Sequence, residues 1–196
     1  MKSILTFFIL LFLFTGCTKQ PQLTRAEWLQ NTVKTYTNIS KEKAISSAEK
    51  VLRLADGNDF IIAHNEKGFN ATRNWLVYLV LAASTGTDFW RVEVEELQNN
   101  KVKVTLQVNS QSQAITPMIT SSGAWTATSG TLAGTPVQGN SIYSTFWKRF
   151  EYLIGSNDKW MTCKQSNELN DQGKTWGNNE ALCNSFNVDD NIPNNY

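Results

Sequence analysis

The chain holds one histidine, His64, so any Ser-His-Asp triad or histidine-based metal site would have to be built around it. It falls beside Asn65 and Glu66 at the expected end of a strand, where an exposed or locally hydrogen-bonded imidazole is the ordinary outcome. Glu93, Glu95 and Glu96 form the closest acidic group. Paired carboxylates can run glycoside chemistry when one of them has a raised pKa and their separation suits. Here Lys103 is expected opposite, so a solvated charge ladder is the better account. A hydrolase would need Asp59, Asp88 and Glu93 to converge in a cleft. Gly123, Gly130, Gly134 and Gly139 lack the strand, the Lys-Ser/Thr pair and the immediate helix of a phosphate-cradling loop. No catalytic, cofactor-binding or metal-binding constellation emerges.

Cysteine chemistry is more informative. Setting Cys17 aside, Cys163 and Cys183 form an even pair. Two cysteines with no nearby histidine cannot complete a zinc site, and a reactive thiol would need an activating base. A structural disulfide remains. It would close a loop of about 20 residues and stabilise the fold by about 3 kcal/mol on the chain-entropy model. The enclosed segment, with Asn167, Asn170, Asp171, Gly173, Gly177, Asn178 and Asn179, is polar and needs such a clip.

Such a bridge implies an oxidising compartment, and the N-terminus agrees. Lys2 precedes an apolar run from Ile4 to Phe14 broken by Thr6, too short to span a bilayer and of the length of a signal-peptide core. Leu13-Phe14-Thr15-Gly16-Cys17 then resembles the lipobox of bacterial lipoproteins. The resemblance implies cleavage before Cys17, lipid on that cysteine and residence in the cell envelope. Thr18 in place of Asp implies, in a Gram-negative cell, an outer-membrane destination facing the periplasm. Phe14 stands where the lipobox usually has Leu, Val or Ile, so ordinary signal-peptidase cleavage or an uncleaved anchor are the alternatives.

Residues 1–16 thus read as a signal peptide, 17–39 as a tether with a short helix, and 40–196 as a single domain. Removing the leader takes Lys2 with it and leaves 17 basic against 17 acidic residues. That balance, with no Lys or Arg cluster, excludes nucleic acid as the main partner. Seven Trp and ten Phe suggest a well-filled core or an aromatic binding face.

Thr24 and Glu27 have capping-box spacing and predict a helix over 25–36. Ser40 caps a second, to about Ala55, with Ile45, Ala48, Leu52 and Ala55 on one face and Gly57 beyond. Phe60 to Ala63, Ala71 to Ala83 and Phe89 to Leu97 then read as strands separated by turns at Gly68 and Gly86. Val102 to Val108 closes a hairpin through Gln98-Asn99-Asn100. A three-residue loop sets Val94 opposite Val104, Val92 opposite Leu106 and Glu95 opposite Lys103, and so keeps apolar and charged faces apart.

Residues 109–140 lose periodicity, and weak strands near Ile115 to Thr120 and Ala124 to Thr128 with a mobile loop are expected. Asn140 or Ser141 caps a helix whose Ile142, Phe146, Phe150 and Leu153 form a stripe, broadened by Tyr143 and Trp147 and ended by Gly155. The order predicts an α+β fold: an antiparallel sheet of three to five strands, helices on one face, and a disulfide-clipped C-terminal segment. In Lys50 to Asp56 and in Phe146-Trp147, Tyr152-Leu153, Gly155, Trp160 and Cys163 the chain resembles small envelope lipoproteins, a resemblance that transfers no functional residue.

The expected function is a membrane-anchored, non-enzymatic binding or structural module, its partner another envelope protein or a cell-wall component. The alternatives are a periplasmic inhibitor or immunity lipoprotein, with Gly123 to Gly139 as a protruding loop, and a cell-wall hydrolase with an unrecognised acidic site. Trp125 and Trp176, large aromatics in Gly-rich and Asn-rich segments, are the candidate binding contacts.

Overall fold

Val92, Val94, Val104 and Leu106 recur at every second position, and strands with that period can bury one face and wet the other. In the computed structural model, which describes residues 23–55, 59–79, 82–119, 125–131 and 134–183, they do so. For residues 79, 82, 113–119 and 125–131 the backbone alone is described. The elements in chain order are α1 (Arg25–Thr32), β1 (Val33–Thr37), α2 (Lys41–Ala55), β2 (Phe60–Asn65), β3 (Gly68–Leu79), β4 (Ala82–Leu97), β5 (Lys101–Ile119), β6 (Trp125–Thr131), β7 (Thr135–Pro136), α3 (Asn140–Leu153) and α4 (Cys163–Asp171). All strand pairs are antiparallel. Among the described residues the sheet has seven strands and runs β1-β5-β4-β3-β2, with β6 and β7 also paired to β5. The α+β class, the helices on one face and the C-terminal clip are as expected; β6 and β7 add to the five-strand path.

The β4–β5 register is the expected one: Val94 faces Val104, Val92 faces Leu106 and Glu95 faces Lys103. Asn99 and Asn100 turn the chain with φ of 63° and 52°, a left-handed backbone that asparagine tolerates. Trp90, Val92, Val94, Val102, Val104, Leu106 and Val108 are buried beneath Ala44, Ala48, Val51 and Leu52 of α2 and Ile142, Tyr143, Phe146, Trp147 and Phe150 of α3.

Several expectations need correction. The first helix stops at Thr32, although its capping box forms, with Thr24 N–H donating to Glu27 Oε2 at 2.8 Å. Val33–Thr37 is a strand because its β-branched and aromatic residues pair with Lys101–Thr105, and Lys34 and Tyr36 reach Glu151 from it. Ala71 to Ala83 spans two strands, since β3 ends at Leu79 and β4 starts at Ala82 with no turn-forming residue between them. Gly86 lies within β4, opposite Trp75 and Ser112; a Cβ there would overlap the Trp75 indole and the Gln111 carbonyl. Within Gly123 to Gly139, the described residues include the strands β6 and β7. The expected strand starting near Ile115 is the far half of β5, and that near Ala124 is β6. Gly57 and residues 1–22, with the leader and Cys17, lie outside the described residues.

The N-cap of α3 is Gly139, not Asn140 or Ser141. Asn140 Oδ1 instead accepts the Trp176 N–H at 2.8 Å, and Ser141 N–H donates to the Trp176 carbonyl at 3.0 Å. A returning segment thereby satisfies a donor that every helix start leaves open. Gly139 and Gly177 pack against each other too closely for a Cβ on either. Gly155 ends α3 in the left-handed region as expected, with φ of 81°.

A buried cation of α3 holds the C-terminal segment. Arg149 of α3 is 1% exposed. Its Nε donates to the Met161 carbonyl and Nη1 to the Leu182 carbonyl, both at 2.9 Å, and Nη2 lies 3.2 Å from Cys163 Sγ. The Trp160 ring covers the guanidinium at 4.8 Å. Cys163 and Cys183 are bonded, with Cα atoms 5.4 Å apart. Around them Thr145, Ser166 and Asn179 form a buried hydrogen-bonded chain. Because two carbonyls would lose their charged donor, Arg149→Met is expected to lower stability by about 3 kcal/mol, and Arg149→Lys to restore only part of it. Urea midpoints at unchanged slope would check this; a midpoint within error of wild type would refute it.

Candidate binding surface

The same two-residue period that buries one side of the sheet commits the other to solvent. Asn70, Thr72, Asn74, Leu76 and Tyr78 of β3, Thr85, Thr87, Phe89, Arg91, Glu93 and Glu95 of β4, and Lys103, Thr105, Gln107 and Asn109 of β5 share the face away from α2 and α3. Near the β4–β5 loop this face is charged, with Glu95 ion-paired to Lys103, which holds the Glu95 carboxyl below its ordinary pKa. Its middle is amide and hydroxyl. There a depression of about 230 Å³ is lined by Asn70, Thr72, Phe89, Arg91, Gln107 and Asn109. Phe89 is 41% exposed, an aromatic ring among hydrogen-bonding neighbours. A ring beside amides and one guanidinium can hold a partner's apolar group while pairing its polar edge.

The acidic candidates do not converge. Asp59 is exposed and Glu93 lies on the open face, whereas Asp88 points to the helix side. Asp88 accepts from Ser110 Oγ at 2.8 Å, and Arg73 spans Asp88 and Glu180 at 3.8 and 3.6 Å. Burial pushes the Asp88 carboxyl above its ordinary pKa, against the opposing pull of Ser110 and Arg73. This group joins β3, β4, β5 and the C-terminal segment under the core. Glu93 and Glu95 instead border a cleft of about 440 Å³ with Glu96, Lys41, Lys67 and Lys103, a mixed-charge surface.

His64 is exposed, its Nε2 2.8 Å from Glu49 Oε2. Burial tends to raise the Glu49 pKa, but hydrogen bonds from Arg53 and His64 outweigh it and the carboxyl is lowered. The bonded sulfurs of Cys163 and Cys183 exclude the reactive-thiol and zinc readings of that pair. Among the described residues no group of three His, Cys, Asp or Glu could hold a metal ion.

Trp176 is half-buried, and its backbone ties the C-terminal segment to the start of α3. Trp125 opens β6 opposite Ile119, and its side chain lies outside the described residues. Phe89 escaped notice in the sequence; its signal was an aromatic at an odd-numbered position of β4, among polar residues. Among the described residues no helix is long and apolar enough to cross a membrane. No protein-family model, curated protein or solved structure matches the chain.

The raised Asp88 pKa carries a sign. The folded protein holds this proton more tightly than the unfolded chain, so the contribution is full in acid and is lost as pH rises through the folded pKa. Asp88→Asn keeps the uncharged form at all pH values. Its stability relative to wild type is therefore expected to rise as pH climbs above the ordinary carboxylate range of about 4, read from paired denaturation midpoints. A pH-independent difference would contradict this.

Proposed function

We propose that the chain is an exported lipoprotein, cut before Cys17 and anchored there by lipid in the cell envelope, facing the periplasm from the outer membrane. It acts as a non-enzymatic binding module that meets another envelope component through the open face of its sheet. The observation that carries the binding reading is the face that no described helix covers, with the exposed Phe89 ring set among Asn70, Thr72, Arg91, Gln107 and Asn109. Export is supported by the Cys163–Cys183 bridge, since disulfides persist in oxidising compartments, and by the lipobox-like Leu13 to Cys17. The hydrolase alternative loses support because Asp59, Asp88 and Glu93 do not share a cleft.

Cells fed a palmitate analogue are expected to label the wild-type chain in the membrane fraction. Cys17→Ala should abolish the label and release the chain from the membrane. A wild-type chain that stays unlabelled and fractionates as soluble would refute the anchor.

A further inference from the structure

β3 is twice as long as its outer neighbour. β2 pairs with Gly68–Arg73 only, whereas β4 pairs with β3 along its whole length to Leu79. Among the described residues, no strand pairs with Asn74–Leu79 on the side away from β4. The ladder shows which groups face that side. Lys67 C=O accepts from Val94 N–H on the β4 side, and the β3–β4 register is unbroken, so even-numbered residues bond outward. Asn70 and Thr72 thus meet β2, while Asn74, Leu76 and Tyr78 turn their N–H and C=O groups toward no described strand.

Proteins normally blunt such an edge with lysine, proline or a bulge. The stretch Asn74-Trp75-Leu76-Val77-Tyr78-Leu79 has none of these and no charge. Side chains on both of its faces are exposed: Leu76 at 51% and Tyr78 at 79% on the open face, Val77 at 39% on the other. Backbone groups in a row call for another extended backbone, and flanking apolar side chains call for apolar neighbours on both faces. A bilayer would satisfy the side chains alone, because each unpaired backbone group costs several kcal/mol in hydrocarbon.

We propose that this edge pairs with the same edge of a second copy of the chain, joining two sheets into one across a two-fold axis. An antiparallel pair of identical strands is intrinsically two-fold, the symmetry of an isologous dimer. With no charge in the segment, self-pairing opposes no like charges. The outward groups require even-numbered residues to pair with even-numbered ones. Centring on Leu76 would set Leu79 of the copy against Arg73, where Phe60 of β2 already pairs. Centring on Val77 avoids this, placing Val77 opposite its counterpart and Leu76 opposite Tyr78. The inference goes beyond the binding module proposed above and depends on neither the lipid anchor nor the ligand of the open face.

The test uses the full-length chain in intact cells. Val77 would face its counterpart at a non-hydrogen-bonded position, with Cα atoms about 4.5 Å apart, inside the range of about 4.4–6.8 Å that a disulfide spans. Val77→Cys under mild oxidation is expected to give a reducible band of twice the monomer mass. Lys43→Cys, exposed on α2, should give none. Adding Leu76→Lys and Tyr78→Lys, both exposed and so compatible with folding, opposes lysines across the pair and should cut the dimer band about tenfold. Absence of the dimer band, its persistence with both lysines, an equal band from Lys43→Cys, or an adduct of Val77→Cys to a chain of another mass would each overturn the proposal.

Discussion

Each strand sends successive side chains to opposite faces, so the register between β4 and β5 decides which residues are dry. A slip of one residue would carry Val102, Val104, Leu106 and Val108 from beneath the helices into water. The three-residue connection Gln98-Asn99-Asn100 prevents that slip, with two asparagines in the left-handed region setting its geometry. β5 transmits the choice further, because β1, β4, β6 and β7 all pair with it. One turn thus orients most of the sheet.

A dry face must then be sealed, and α2 and α3 seal it. The outer side of α3 carries Arg149, whose planar guanidinium reaches several acceptors at once. It binds the carbonyls of Met161 and Leu182 on both sides of the disulfide. Trp176 closes the beginning of the same helix from the same segment. The polar C-terminal stretch brings little apolar surface of its own. It is fixed by one covalent bond, by the buried cations Arg149 and Arg73, and by hydrogen bonds to Thr145 and Asn140.

The fold class, the central hairpin register, α2, α3 and the disulfide were legible because each rests on local periodicity or on cysteine count. Tyr36 falls within the helix expected over 25–36; only β5, far away in sequence, makes that stretch a strand. Gly86 resembles a turn in sequence and acts as space for the Trp75 ring, a contact no spacing rule reveals. The α4 helix was missed although Thr162 and Gln165 form a capping box of the kind recognised at Thr24 and Glu27. At the candidate surface, the pairing of Glu95 with Lys103 was legible from register. The prominence of Phe89 and the burial of Arg149 were not, since each depends on which face a helix covers.

The face that no described helix covers is the one to which the account assigns function. A photoreactive phenylalanine analogue at Phe89, illuminated in intact cells beside the same residue at Glu42 on the solvent side of α2, tests that assignment most directly. The account predicts a discrete adduct from position 89 and none from position 42. No adduct at 89, or the same adducts from both positions, would contradict it.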